Sequence, residues 1–169
     1  SHKALPVVET PLADLEAWDF PPFRALSDMP MAMTAHVVFT AVDRKRPATV
    51  SRKAVRLMRE RLRFGGLILT DDLSMQALSG SLAERAAAAL KAGCDIALHC
   101  NGDLAEMQQV AGAVGRLKGA SKARAEAALA RIVREVEPLD VDHARARFEA
   151  LLAGKLDARR GPDVGEAQA

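Results

Sequence analysis

The sequence is poor in cysteine and has no long apolar run. Its two cysteines, Cys94 and Cys100, are six positions apart, a spacing that matches no zinc-binding or redox motif. No apolar stretch approaches the roughly 20 residues that a membrane-spanning helix requires. We therefore expect two buried, reduced thiols on a strand and no association with a membrane.

Features of an exported protein are also lacking at the start of the sequence. No basic segment followed by an apolar and small-residue stretch is found there, and the low cysteine content suits a reducing compartment. We therefore expect a cytoplasmic protein. The sequence opens on Ser1 without an initiator methionine, and we expect the natural N-terminus to lie upstream.

Aromatic residues are scarce, which bears on a basic stretch between Arg116 and Arg134. Aromatic residues make up 4% of the sequence, and none interleaves with the lysines and arginines of this stretch. A platform on which nucleic-acid bases could stack is therefore missing. A solvated helix face accounts for these charges. The net charge of +2 says little about partners, and we expect no nucleic-acid partner.

Apolar segments alternate with segments of helical spacing. Three segments predict strands: Met31–Phe39, Leu67–Thr70 and Asp95–Cys100. Five predict helices, at residues 51–64, 81–92, 103–117, 121–137 and 142–153. The alternation indicates an α/β fold with a parallel sheet covered on both faces. A closed eight-stranded barrel takes ~250 residues, so the sheet is either small and open or part of a larger barrel.

Capping residues mark where several of these helices begin. Ser51 precedes the first, Ser81 and Glu84 have the spacing of a capping box, and Asp103 and Glu106 resemble a second capping arrangement. The helix over 51–64 is predicted to end where Gly65-Gly66 supplies a turn.

Polar residues are predicted at the carboxyl ends of the strands, where parallel α/β folds gather their chemistry. His36 lies near the end of the first strand, Asp71-Asp72 follows the second and Asn101 follows the third. Adjacent residues of an extended segment point to opposite sides, so one carboxylate can face a pocket while the other holds the loop. From its position alone, Asp71 could equally be a helix-capping or loop-bracing aspartate.

One segment resembles a known catalytic sequence. Residues 64–75 (FGGLILTDDLSM) resemble the nucleophile segment of glycoside hydrolase family 3, in its bacterial β-N-acetylglucosaminidase branch. Residues 33–37 (MTAHV), 47–51 (PATVS) and 92–95 (AGCD) are similar to further motifs of this branch. The resemblance covers about residues 1 to 135, and the joint spacing of the motifs makes it specific.

The resemblance implies roles for individual residues. The first aspartate of the motif, Asp71, would be the nucleophile that forms a covalent glycosyl-enzyme, with net retention. His2 would be the general acid/base at the end of a mobile loop, and the aspartate that orients it would precede Ser1. His36 and Met75 are expected to bind substrate. No metal and no cofactor are implied.

The resemblance also implies a fold and a substrate. We expect the C-terminal part of a TIM-like (β/α)8 barrel, with residues 1–156 in a single catalytic domain and residues 157–169 as a polar, disordered tail. The substrate would be terminal β-N-acetylglucosamine on peptidoglycan turnover fragments. The N-terminal half of the same barrel would be the partner that binds the sugar ring, so this chain alone should expose apolar strand edges.

Two other functions are compatible with parts of the sequence. Asp71 could be the nucleophile of a Mg²⁺-dependent phosphotransferase, in which case activity would depend on magnesium. The basic residues from Arg116 to Arg147 could form a helical nucleic-acid-binding module, which charge reversal at Arg124 and Arg131 would abolish.

Overall fold

The computed structural model describes residues 4–132 and 138–154. The chain divides into two compact units, Ser1–Ile132 and Val133–Ala169. All of the strands described below belong to the first unit. The predicted tail at residues 157–169 and the predicted acid/base His2 lie outside the described residues.

The strands are all parallel and form two sheets. They are β1 (Val7–Val8), β2 (Met31–Met33), β3 (Val38–Phe39), β4 (Leu67–Asp72) and β5 (Ile96–Leu98). The smaller sheet pairs β1 with β3, and the larger has the order β2-β4-β5, with β4 in the centre. The predicted parallel α/β fold is thus confirmed, and the central strand is the one that ends in Asp71-Asp72.

The prediction of one strand over Met31–Phe39 is wrong. The segment forms β2 and β3, which belong to different sheets. The backbone amide of Thr34 still donates to the carbonyl of Leu69, but the segment then leaves the ladder. The side chains of Thr34 and His36 are buried and bind Thr49. These polar contacts replace the continuous strand pairing that the apolar residues of the segment predicted.

The helices are α1 (Leu12–Asp14), α2 (Pro21–Ala25), α3 (Arg52–Glu60), α4 (Leu82–Ala92), α5 (Leu104–Val114), α6 (Gly119–Ala130) and α7 (Val141–Leu152). A π-helical segment, Leu15–Asp19, joins α1 to α2, and a 3₁₀ turn, Ala48–Val50, precedes α3. Helix α7 is the described element of the second unit. No helix in the described ranges is long and apolar enough to span a membrane.

The predicted caps of three helices are confirmed. The hydroxyl of Ser51 accepts from the amide of Ala54, and Ser81 with Glu84 forms a reciprocal capping box. The carboxylate of Asp103 accepts from the amide of Glu106 at 2.9 Å. Each such cap stabilises a helix by about 1 kcal/mol, and two of these helices, α4 and α5, directly follow the strands that carry the candidate site.

The end of α3 differs from the prediction. The helix stops at Glu60, and the left-handed residue that follows is Arg63, with φ 57°, rather than a glycine. Gly66 serves a different purpose, because a Cβ there would lie 2.6 Å from the carbonyl oxygen of Met29 and 2.7 Å from that of Pro30. The glycine therefore allows the backbone ahead of β2 to pass close to the start of β4.

Helices cover one face of the larger sheet. Ile68 of β4 is fully buried in a cluster that includes Val55 of α3 and Ala89 of α4. The opposite face is open at its β2 edge, where Met31 and Met33 are 53% and 54% exposed. The prediction that the sheet is covered on both faces is therefore wrong for β2. The prediction that apolar residues are exposed at a strand edge is confirmed.

The two cysteines have different surroundings. Neither forms a disulfide, and Cys94 is buried as predicted, although it lies just before β5 rather than on it. The prediction that Cys100 is buried on a strand is wrong, because Cys100 follows β5 and is exposed. Burial raises the pKa of the Cys94 thiol to about 12. Cys94 is therefore a protonated, unreactive core residue.

Candidate active site

The candidate site is at the carboxyl end of β4, where the strand delivers two adjacent carboxylates. Asp71 is half-buried, and its Oδ1 accepts from the backbone amide of Asp72 at 2.8 Å. Among the described residues its carboxylate makes no other hydrogen bond and no ion pair. Strand alternation places Leu67 and Leu69 on the side of β4 opposite to the helix-covered Ile68. The pairing of β4 with β5 then shifts register between Leu69 and Asp72, so Asp71 lies at an irregularity at the end of the strand.

Asp72 is bonded to the protein. Its Oδ1 accepts from the amides of Ser74 at 3.0 Å and Cys100 at 3.2 Å, and its Oδ2 accepts from the hydroxyl of Ser74. Burial opposes ionisation of Asp72, but the hydrogen bonds from Ser74 and Cys100 outweigh burial and lower the pKa of this carboxyl below its usual value. The side chain thereby joins the loop after β4 to the end of β5.

A buried histidine holds the backbone between the two carboxylates and the following loop. His36 is 0% exposed, and its Nε2 lies 2.8 Å from the carbonyl oxygen of Asp72. Because a carbonyl only accepts, Nε2 must carry a proton. In the neutral ring, Nδ1 then accepts from the hydroxyl of Thr49 at 2.8 Å, and Thr49 accepts from Thr34 at 2.9 Å.

A second polar group borders the loop after β5. Asn101 Nδ2 donates to Glu106 Oε2 at 3.1 Å, while Asn101 Oδ1 lies 3.1 Å from the hydroxyl of Ser74. The side chain of His99 is 5% exposed, with Nε2 3.2 Å from Glu106 Oε2. The direction of this approach does not suit a hydrogen bond, and neither ring nitrogen has a hydrogen-bond partner among the described residues.

The predicted site residues are in part brought together. Asp71 lies at the rim of the sheet, and His36 contacts the neighbouring Asp72 from below the surface. Met75 follows in the same loop and is 7% exposed. Both ring nitrogens of His36 are already bonded to protein atoms, so direct contact of His36 or Met75 with a substrate stays a prediction. His2 lies outside the described residues.

Sequence reasoning missed the residues that support the site. Thr49 is fully buried and binds His36, whereas the sequence shows it only as part of the PATVS motif. Ser74 and the backbone of Cys100 bind Asp72, and nothing in their own sequence context signalled that role. The threonine of the Pro-Ala-Thr loop and the histidine near the end of the first predicted strand were the features of the sequence that could have indicated this contact.

Two arginines of the basic stretch are already bound within the protein. Arg124 donates from Nε and Nη2 to the carboxylate of Asp95, with distances from 2.6 to 3.1 Å, and Arg131 donates to the carbonyl of Asp28. These contacts hold α6 and the residue that follows it against other parts of the first unit. In the described ranges, no group of three or more His, Cys, Asp or Glu side chains could hold a metal ion.

Comparison with known sequences assigns the chain to a family. A model described as "Glycosyl hydrolase family 3 N terminal domain" matches residues 1–135, which is most of the chain. The parallel strands and the helices that follow them define the class as an α/β domain. The protein belongs to glycosyl hydrolase family 3, and its described strands and helices are part of a TIM-like (β/α)8 barrel, as predicted.

Curated relatives are longer than this chain. A beta-hexosaminidase of Bordetella pertussis is 44% identical over 111 residues, which is 63% of this chain and 31% of the relative. A beta-hexosaminidase of Methylobacillus flagellatus is 41% identical over 105 residues, or 60% of this chain and 30% of the relative. The chain therefore spans about a third of the length of the curated relatives it matches.

Solved structures of beta-N-acetylglucosaminidases are also similar to this chain. NagZ from Neisseria gonorrhoeae in complex with N-trifluoroacetyl-D-glucosamine is similar with a TM-score of 0.65 and 31% identity, over 92% of this chain and 44% of that one. The beta-N-acetylglucosaminidase from Thermotoga maritima has a TM-score of 0.61 and 30% identity, over 78% of this chain and 32% of that one.

Proposed function

We propose that the protein is a retaining exo-β-N-acetylglucosaminidase with Asp71 as its nucleophile. One observation carries the proposal: of two adjacent carboxylates at the rim of the sheet, Asp72 is fully bonded to the protein, whereas Asp71 keeps one carboxylate oxygen without a partner among the described residues. The relatives named beta-hexosaminidase and beta-N-acetylglucosaminidase support the same assignment.

The chemistry requires an ionised carboxylate below the sugar ring. An oxygen of Asp71 forms a bond to the anomeric carbon while the bond from that carbon to the leaving oxygen breaks and the leaving oxygen receives a proton. Water then attacks the anomeric carbon of the glycosyl-enzyme and gives a proton to the same acid/base group, and Asp71 is released. Two inversions give net retention of configuration.

The two aspartates have different roles in this proposal. The side chain of Asp72 accepts three hydrogen bonds, from Ser74 and Cys100, and its carbonyl accepts one from His36, so four hydrogen bonds resist movement of the residue that follows Asp71. A nucleophile positioned in this way loses little freedom on reaching the transition state. In this proposal His36 acts through the backbone of Asp72, and Met75 packs beneath the loop.

The remaining parts of the reaction are assigned by the family resemblance. His2 is the general acid/base, since a histidine can donate and then accept the same proton near neutral pH. The sugar ring is bound by the N-terminal half of the same barrel. The open face of β2, with Met31 and Met33 exposed, supports this arrangement because such an apolar surface is normally covered. The substrates are N-acetylglucosamine-terminated peptidoglycan fragments, hydrolysed in the cytoplasm for recycling.

The stereochemical outcome tests this proposal. The protein at its natural length is mixed with 4-nitrophenyl β-N-acetylglucosaminide, and proton NMR follows the first anomer released. We expect the β-anomer first, with the same rate in EDTA and in magnesium. Release of the α-anomer first would contradict the nucleophile assignment, and a strict magnesium requirement would favour the phosphotransferase instead.

A further inference from the structure

A groove lined by cations lies between the loop that precedes α3 and the side of α4. We call it the basic groove. Its volume is about 650 Å³, and its charged lining residues are Lys45, Arg46, Arg52 and Lys91. The rest of its lining is small, hydroxylic or apolar, and no acidic side chain contributes to it.

One carboxylate borders the basic groove and offsets only part of the charge of its four cations. Asp43 lines an adjoining depression of about 420 Å³, where its Oδ1 accepts from the amide of Lys45 at 3.0 Å and its Oδ2 accepts from the hydroxyl of Ser51 at 2.8 Å. Glu60 is paired with Arg56, at 2.9 Å. Across the part of the chain that the structure describes, none of the four cations of the basic groove forms an ion pair.

The positive charge is concentrated in one segment. Residues 43–63 contain nine lysines or arginines and two acidic residues, whereas the rest of the chain has more acidic than basic residues. Arg59 and Arg61 of this segment are used internally, in ion pairs with Asp95 and Glu16. The outward-facing cations remain, and a concave surface lined by one sign of charge concentrates the field that attracts a counter-ion.

We propose that the basic groove binds a small ligand that carries two or more phosphate groups. Arg46 and Arg52 supply planar guanidinium groups that can bind phosphate oxygens in pairs, and Lys45 and Lys91 supply point charges. Arg52 is the first residue of α3, a nine-residue helix, so the positive end of the helix dipole adds to their field. The volume lies within the range of roughly 300–1,000 Å³ typical of small-molecule sites.

The lining favours a small ligand over a nucleic acid. No aromatic side chain lines the basic groove, whereas single-stranded nucleic acids are bound by stacking on aromatic side chains next to the cations. The cations also come from two elements, since Lys91 belongs to α4 and the other three belong to the loop before α3 and its first residue. The two elements meet at the groove, where Arg52 Nη2 donates to the carbonyl of Lys91 at 3.4 Å.

Calorimetric titration with tripolyphosphate tests the proposal on the full chain. We expect saturable binding to one site, weakened by added salt because screening reduces charge attraction. The double variant K45E/R46E should bind at least about tenfold more weakly, since it replaces two attractive contacts with repulsive ones. A matched control, R116E/K118E, makes the same change in net charge at exposed residues outside the basic groove and should stay within about twofold of the parent.

Several results would overturn the proposal. These are the absence of saturable binding at millimolar tripolyphosphate in low salt, an equal loss in both double variants, or tighter binding of a short RNA duplex than of tripolyphosphate. Circular dichroism checks that each variant is folded. Lys91→Glu changes the cation from α4 independently, so it decides the question if K45E/R46E does not fold: unchanged affinity in this variant would also refute the proposal.

Discussion

His36 donates a hydrogen bond from Nε2 to the main-chain carbonyl of Asp72, at 2.8 Å, across 36 residues of sequence. The bond connects the segment after β2 to the end of β4, and the imidazole is itself oriented by Thr49. A fully buried ring with both nitrogens hydrogen-bonded has a fixed orientation, and it supports the backbone that carries the two adjacent carboxylates. The position of Asp71 therefore depends on side chains that never reach the surface.

Removing the hydroxyl of Thr49 should destabilise the protein. In Thr49→Val the shape is kept, but Nδ1 of His36 loses its partner, and leaving a buried polar atom unpaired costs about 1–3 kcal/mol. The free energy of unfolding from urea titrations measures the loss. Thr40→Val is the control, because the hydroxyl of Thr40 makes no hydrogen bond in the described structure, and it should change stability by less than about 0.5 kcal/mol.

Gly66→Ala should be strongly destabilising, and Gly65→Ala should not. A Cβ at Gly66 would overlap the carbonyl oxygens of Met29 and Pro30, whereas a Cβ at Gly65 would meet nothing within 4 Å. We expect a loss of about 2 kcal/mol or more at Gly66, from forced movement of the backbone ahead of β2. Thermal unfolding of the two variants gives the comparison, and equal effects would show that the close approach is not required.

The ion cluster around Asp95 should make the free energy of unfolding depend on pH in the acidic range. Asp95 accepts from Arg59, from Arg124 and from the amide of Ile68. Burial raises its pKa, but the hydrogen bonds from Arg124, Ile68 and Ser121 and the charge of Arg124 prevail, so the pKa of Asp95 in the folded protein lies below its usual value near 3.8.

The sign of this dependence follows from the lowered pKa. The stabilisation by Asp95 is fully present above the usual aspartate pKa and is lost as the pH falls below it towards the folded-state pKa. Asp95→Asn should therefore cost about 3–5 kcal/mol at pH 7, because it leaves arginines unpaired, and the difference from the parent should shrink at pH 2 to 3. Urea unfolding at a series of pH values checks this, and a difference independent of pH would contradict it.

The two adjacent carboxylates should respond differently to substitution. Asp71→Asn removes the proposed nucleophile and should lower kcat by a factor on the order of 10⁴ or more. Asp72→Asn keeps one acceptor for Ser74 and Cys100 and should leave measurable activity, because it weakens positioning only. Steady-state assays on the protein at its natural length give both values, and a larger loss in Asp72→Asn would exchange the two roles.

The sequence predicted most of the elements that direct the chain to the site. Helix starts at Ser51, Ser81 and Asp103 were predictable because capping is local, and β4 was predictable because its apolar run is short and bounded. The split of residues 31–39 was not predictable, since it depends on Thr34 and His36 finding Thr49 from a distant part of the chain. Periodicity could not identify the open face of β2 either, because exposure depends on what lies beside a strand in space.

The candidate site was also predictable only in part. The position of Asp71 after an apolar strand left catalytic and structural roles open, and the family resemblance favoured the first. The hydrogen bonds that distinguish Asp72 from Asp71 come from Ser74, which is close to both in sequence, and from the amide of Cys100, which is distant from both. Only the folded chain brings Cys100 to the carboxylate, so the division of roles between the two aspartates could not be read from spacing.

Trapping the covalent intermediate tests the central claim most directly. The protein at its natural length is incubated with a fluorinated N-acetylglucosaminyl donor whose glycosyl-enzyme hydrolyses slowly, and peptide mass spectrometry locates the added mass. We predict one label on the peptide that contains residues 71 and 72, with fragment ions assigning it to Asp71 and no label in Asp71→Asn. A label on Asp72, or no label in an enzyme that turns over the parent substrate, would contradict the account.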